Sequence, residues 1–165
     1  MEASSNYSMI MFHIPENPKI LEALGTITLQ HGHLDHILRM TIKTLGEVNV
    51  QQALDATAFE GSAVLRERIR KLAKLKLGEG NALLQLQALL ERCRRATEKR
   101  NDLIHNIWAR ELDGDPQVRT KDHNWKPIPT IDELEVLSKE LGLLINELNS
   151  ARLDGFLSKA ITARK

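Results

Sequence analysis

Apolar residues recur along most of this chain at three- and four-residue spacing, the pattern of helices that each turn one face to a core. From Ile20, the series Leu24, Ile27, Leu34, Leu38, Ile42 and Leu45 predicts a long first helix ending near Gly46, with one gap around His31. Val50, Ala53, Leu54 and Ala58 predict a short second helix between Val50 and Phe59. Gly61 and Ser62 offer a break and an N-cap. The third helix then sets Leu65, Ile69, Leu72 and Leu75 on one face and Arg66, Arg68, Arg70, Lys71, Lys74 and Lys76 on the other. Gly78 and Gly80 stop it, and Asn81 is a candidate cap for the next. In that fourth helix Leu83, Leu86, Leu90, Cys93, Thr97, Ile104 and Ile107 form a stripe, and position 100, which belongs to the stripe, is Arg. Residues 113–129, with Gly114, Pro116, Pro127 and Pro129, predict a loop or short hairpin. Thr130 and Glu133 form a capping box opening a last helix along Leu134, Leu137, Leu141, Leu144, Ile145 and Leu148, which Gly155 kinks or ends. The first dozen residues are small and polar, so residues 1–16 are expected to be flexible. The expected architecture is all-α, a four- to five-helix up-and-down bundle forming one domain over 1–165.

Composition narrows the function classes. The 165 residues are 42% apolar and 27% charged, enough apolar content for a real core. The single cysteine, Cys93, excludes a disulfide scaffold and a cysteine-rich zinc site. No apolar stretch reaches bilayer length and no secretory signal opens the chain, so a cytoplasmic protein without a membrane partner is expected. The net charge of +1 hides an asymmetry. Residues 1–60 carry three basic and seven acidic side chains, whereas residues 61–100 carry eleven basic and four acidic, a local net of +7. Such a segment is either a steering patch for an anionic partner or a solvated face neutralised by acidic neighbours after folding.

Two strings carry candidate chemistry. His31-Gly32-His33-Leu34-Asp35-His36 resembles the H-x-H-x-D-H signature of the metallo-β-lactamase superfamily, whose residues ligate metal. Those sites sit on a loop after a strand, however, and this string lies inside a helical pattern. On a helix His31 and Asp35 share one face while His33 and His36 share another. The string therefore reads as an exposed polar face, with a metal-dependent hydrolase as a remote alternative and no metal or cofactor assigned.

The second string is Arg100-Asn101-Asp102-Leu103-Ile104-His105. A guanidinium on an apolar stripe must meet a carboxylate, a phosphate or an interface, because an unpaired buried charge is expensive. His105 lies five residues on, about 140° around an ideal helix, so the two are not side by side on one chain. The string resembles the Arg-x-x-x-x-His motif of the HEPN superfamily, in which a polar residue such as Asn101 often follows the Arg. The long first helix, the basic helix pair and the closing helix are similar to that superfamily as well.

The resemblance implies a homodimer that brings two motif helices together, and a metal-independent endoribonuclease, in some members a toxin or antiphage effector held by a regulatory protein partner. It implies that His105 exchanges protons at the ribose 2′-hydroxyl or the leaving oxygen, and that Arg100 holds the scissile phosphate. Asn101 would orient either of them, and Asp102 would fix the His tautomer or simply face solvent. Lys71, Lys74, Lys76, Arg92, Arg94, Arg95 and Lys99 are then candidate contacts to flanking RNA phosphates. The alternative within the same resemblance is a non-catalytic RNA-binding or protein-interaction module. Trp108 and Trp125 are the only large candidates for base stacking, and Trp108 reads better as packing.

Overall fold

The computed structural model describes residues 9–165 as a helical bundle with a small antiparallel sheet at one end. Helix α1 spans Pro18–Gly46, α2 Val50–Thr57, α3 Ser62–Leu77, α4 Asn81–His105, α5 Ile131–Leu153 and α6 Phe156–Thr162. The bundle is the expected class, with α6 added after the predicted last helix. Several predicted boundaries have visible causes. Asn17 caps α1 by accepting from the Lys19 amide, with Pro18 in the first turn. Thr130 and Glu133 make both bonds of the capping box at α5. Gly155 separates α5 from α6, and a Cβ there would lie 2.8 Å from Ser150 O and from Ala151 Cα, so the helix pair closes only over a glycine.

The core runs along the facing stripes of α1, α3, α4 and α5, with Leu34, Leu38, Leu45, Leu65, Ile69, Leu86, Leu90, Leu141, Leu144 and Leu148 all sealed from solvent. Each such side chain contributes about 1.5–3 kcal/mol by leaving water. Cys93 sits among them, and burial pushes its thiol up to about 12, which leaves it a packing group rather than a nucleophile.

The sheet departs from expectation. Strands β1 (Ile10–Phe12), β2 (Ile107–Glu111), β3 (Gln117–Arg119) and β4 (Trp125–Pro127) pair in the order β1-β2-β3-β4. The predicted hairpin is thus a three-strand meander, and the segment expected to be flexible supplies its fourth strand, Ile10 opposite Glu111 and Phe12 opposite Ala109. Residues 1–8 of that segment lie outside the described residues. Ile107, placed on the α4 stripe by spacing, belongs instead to β2, because the helix stops at His105. Among the described residues no helix is long and apolar enough to cross a membrane.

Candidate functional site

The apolar stripes of three helices are each interrupted by polar residues, and the fold brings the interruptions together. On α1 the gap is filled by His31, which is buried at 6% exposure. On α3 the buried residues are Ser62, Leu65, Arg66, Ile69, Ala73 and Leu77, so two of the first three are polar. On α4 the stripe passes from Cys93 to Thr97, which is buried, and then to Arg100, which is half-buried. These side chains, with Thr28, Asp35, Glu98 and Asn101, line one cleft of about 640 Å³.

Two sequence readings are corrected here. His31 and Asp35 are not an exposed polar face: His31 is buried, Asp35 is half-buried, and only Gly32, His33 and His36 lie at the surface. Arg66 is not on the outer basic face of α3 but buried at 6% exposure, while Leu75, assigned to the core face, stands 79% exposed. The HGHLDH string does not gather as a ligand set, since among the described residues no three His, Cys, Asp or Glu side chains converge.

The hydrogen bonds inside the cleft define its protonation state. Ser62 donates its hydroxyl proton to Asp35 Oδ1. With that proton committed, Ser62 Oγ can only accept at its 3.4 Å contact with His31 Nε2, which places the imidazole proton on Nε2. The same Nε2–H faces Thr97 Oγ1 at 3.3 Å, and Asp35 lies 3.9 Å from Nδ1. Burial holds His31 below the ordinary imidazole range; Asp35 pulls the other way, and the Arg100 and Arg66 guanidiniums add to the lowering. Ser62, His31 and Asp35 are the residue types of a nucleophilic triad, but here the hydroxyl proton goes to the carboxylate and not to the imidazole, which leaves Ser62 unactivated.

The two arginines of the cleft are short of acceptors. Arg66 donates from one terminal nitrogen to Thr97 Oγ1 at 3.5 Å, and its buried Nε has no partner. Arg100 donates to Asn101 Oδ1 at 3.0 Å, and its buried Nε is likewise unpartnered. Neither forms an ion pair with a carboxylate among the described residues. Glu98, on the same wall, is taken by Arg94. Ser62, Arg66 and Thr97 are site residues that the sequence reading did not select. The 62-66-69-73-77 spacing on α3 was the signal available for the first two.

The RNDLIH string is divided by the helix it lies on. Arg100 and Asn101 face the cleft, whereas Asp102 lines a separate hollow of about 380 Å³ with Trp108, Thr120 and Lys126. His105, the last residue of α4, is exposed, and the side chains beside it, Ile104 and Ile107, are exposed as well. Trp108 donates its indole N–H to Leu103 O at 2.8 Å, a packing role, and Trp125 lies under the Arg119 guanidinium, 5.7 Å from ring centroid to Cζ.

The basic segment is partly neutralised by folding. Arg92 is held by Glu140 at 2.9 Å and Glu147 at 2.7 Å, which raises its pKa. Arg94 pairs with Glu91 and Glu98, and Lys76 with Glu47. Of the predicted phosphate contacts, Lys71, Lys74, Arg95 and Lys99 remain exposed and outside any ion pair among the described residues. No family model matches the chain, and neither the curated proteins nor the solved structures include one that matches it.

Proposed function

We propose that this protein is a metal-independent endoribonuclease of HEPN type that works as a homodimer. The observation that carries the reading is the state of the motif helix: Arg100 is held without a carboxylate partner, and α4 ends on an exposed His105. An internal ion-pair network, the structural alternative for an Arg/Asp/His cluster, would have consumed both. The exposed apolar pair Ile104 and Ile107 flanks His105, so a second copy packed there would cover apolar surface while adding its own His105 and Arg100.

In this reading the ribose 2′-oxygen attacks the adjacent phosphorus and the bond from phosphorus to the 5′-oxygen breaks. One imidazole accepts the 2′-hydroxyl proton and the other protonates the leaving 5′-oxygen, giving a 2′,3′-cyclic phosphate and a 5′-hydroxyl. Arg100 stabilises the charge that gathers on the phosphoryl oxygens, and Asn101 steadies Arg100. Lys71, Lys74, Arg95 and Lys99 supply salt-sensitive contacts to flanking phosphates.

One observation favours the second reading, a non-catalytic RNA-binding or dimerisation module: Arg100 turns into the α1/α3 cleft while His105 stands outside it. Incubation of the purified protein with mixed-sequence RNA, with and without EDTA, separates the two. Cleavage that yields cyclic-phosphate ends, resists EDTA and disappears in His105→Ala and Arg100→Ala supports the nuclease. RNA binding without turnover, by a dimer in sedimentation, supports the module.

A further inference from the structure

The cleft between α1, α3 and α4 has more cationic donors than the fold satisfies. A guanidinium offers five N–H groups. Arg66, at 6% exposure, places one of them 3.5 Å from a threonine hydroxyl and leaves its Nε without a partner. Burial lowers its pKa, the sign of a charge held at a cost, yet the nearest carboxylates, Asp35 and Glu98, stand beyond ion-pair distance. The same wall carries the N-terminus of α3, a 16-residue helix capped by Gly61, which has no side chain to accept from the first-turn amides. Gly61, Ser62, Ala63 and Val64 all line the cleft, so those amides and the positive end of the helix dipole lie at its edge. Arg100 lies across from them on α4, and its one side-chain bond goes to a neighbouring amide oxygen. Asp35 is the one carboxylate of the cleft not bound by an arginine, and it accepts from Ser62. His31 beside it is held toward its neutral form by burial.

We propose that this cleft is a binding site for a phosphate monoester, the terminal phosphate of a nucleotide, seated between Arg66, Arg100 and the first-turn amides of α3. A monoester fits where a chain-internal phosphodiester does not. Arg66, at 6% exposure, offers little surface to a phosphate flanked by chain on both sides, and a dianion answers two guanidiniums and a helix end better than a monoanion does. The volume of about 640 Å³ leaves room for the attached nucleoside. The site shares Arg100 with the proposed nuclease but needs no RNA cleavage and no second copy of the chain, and Arg66, which the nuclease does not use, tells the two apart. Two sources share the chemistry: a free nucleoside monophosphate and the phosphorylated end of an RNA strand.

The test is a titration of the full ¹⁵N-labelled chain, read at the arginine Nε–Hε and histidine ring resonances. The probes are adenosine 5′-monophosphate, a short 5′-phosphorylated RNA and the same RNA with a 5′-hydroxyl. The expected result is saturable movement of the Arg66 and His31 signals, which the nuclease reading does not use, with both phosphorylated probes and none of these shifts with the 5′-hydroxyl RNA. Response to the mononucleotide alone assigns the site to free nucleotides, and response to the phosphorylated RNA alone assigns it to strand ends. Arg66→Gln should weaken binding at least tenfold. Ala63→Glu, which sets a carboxylate at the exposed first turn of α3 where a helix tolerates it, should do the same with the fold intact. Absence of these shifts with every phosphorylated probe, equal shifts with the 5′-hydroxyl RNA, or unchanged binding in Ala63→Glu overturns the proposal. A lost titration with intact RNA cleavage would remove this site and spare the nuclease, and the reverse pattern would do the opposite.

Discussion

Arginines eight residues apart on α4 live in opposite circumstances. Arg92 reaches across to α5 and is clamped by Glu140 and Glu147, while Arg100, two turns on, has an amide oxygen and an idle Nε. Arg66 repeats the second condition more severely, buried on the cleft wall with no carboxylate in ion-pair range. All three belong to the same basic segment and are indistinguishable in a charge count. What separates them is whether α5 or α1 lies opposite, since α5 offers a row of glutamates and α1 offers His31 and a single aspartate. A local net charge therefore says how many cations are present, and the partner helix decides which of them remain available to a ligand.

The sharpest way to break this contrast is through catalysis. Under the proposed nuclease reading, Arg100→Ala and His105→Ala should each lower RNA cleavage by about 100-fold or more, in the range that loss of an electrostatic or proton-transfer group produces. Arg92→Ala should leave the initial rate within about threefold, because its glutamate pairs already hold it off the RNA. Equal losses at positions 92 and 100 in a fluorescence-quenched RNA assay would erase the distinction. Stability gives the next largest difference. Replacing Arg66 by Met removes an uncompensated buried charge at similar volume, and should raise unfolding free energy by about 1–3 kcal/mol in urea denaturation. Replacing Arg92 by Met breaks two partly exposed ion pairs and should lower it by about 0.5–1 kcal/mol. A destabilised Arg66→Met would mean that the guanidinium is satisfied internally after all.

The smallest effect concerns His31. Its pKa is depressed in the fold, so the folded state favours the neutral ring. Above the ordinary value both states are neutral and the full stability is present. As pH falls below about 6.5 the unfolded chain takes up the proton first, and stability declines until the folded ring also titrates. Chemical denaturation between pH 8 and pH 5 should show this decline, and His31→Asn should flatten it. An unchanged slope in the variant would move the pH dependence to other groups.

Much of the fold could be read in advance because each helix declares its buried face by spacing, and the Thr130/Glu133 capping box declares where α5 begins. Arg100 was legible for the same reason, as a charge on an apolar stripe. The cleft was not, because a helical wheel shows that a stripe is interrupted but not what stands across from the interruption. The gap at His31 and the cation at Arg100 were both visible; that they meet follows from the packing of α1, α3 and α4. Arg66 was obscured by its neighbours, since Leu65 beside it defines an apolar face equally well and five other basic residues follow. The strand at Ile10–Phe12 had no local signal, as three residues carry too short an alternation and its pairing partner lies nearly a hundred residues away.

That strand has a practical consequence for the far end of the chain. Because β1 lies against β2, the segment that follows His105 is an interior strand and not a sheet margin. Deleting residues 1–12, or fusing a bulky tag that pulls them away, would turn Ile107–Glu111 into an open edge beside the exposed imidazole. Open edges recruit strands from other molecules. A truncated protein would then form dimers through its sheet, and an oligomeric state measured on it would describe a different contact from the one proposed for the motif helices.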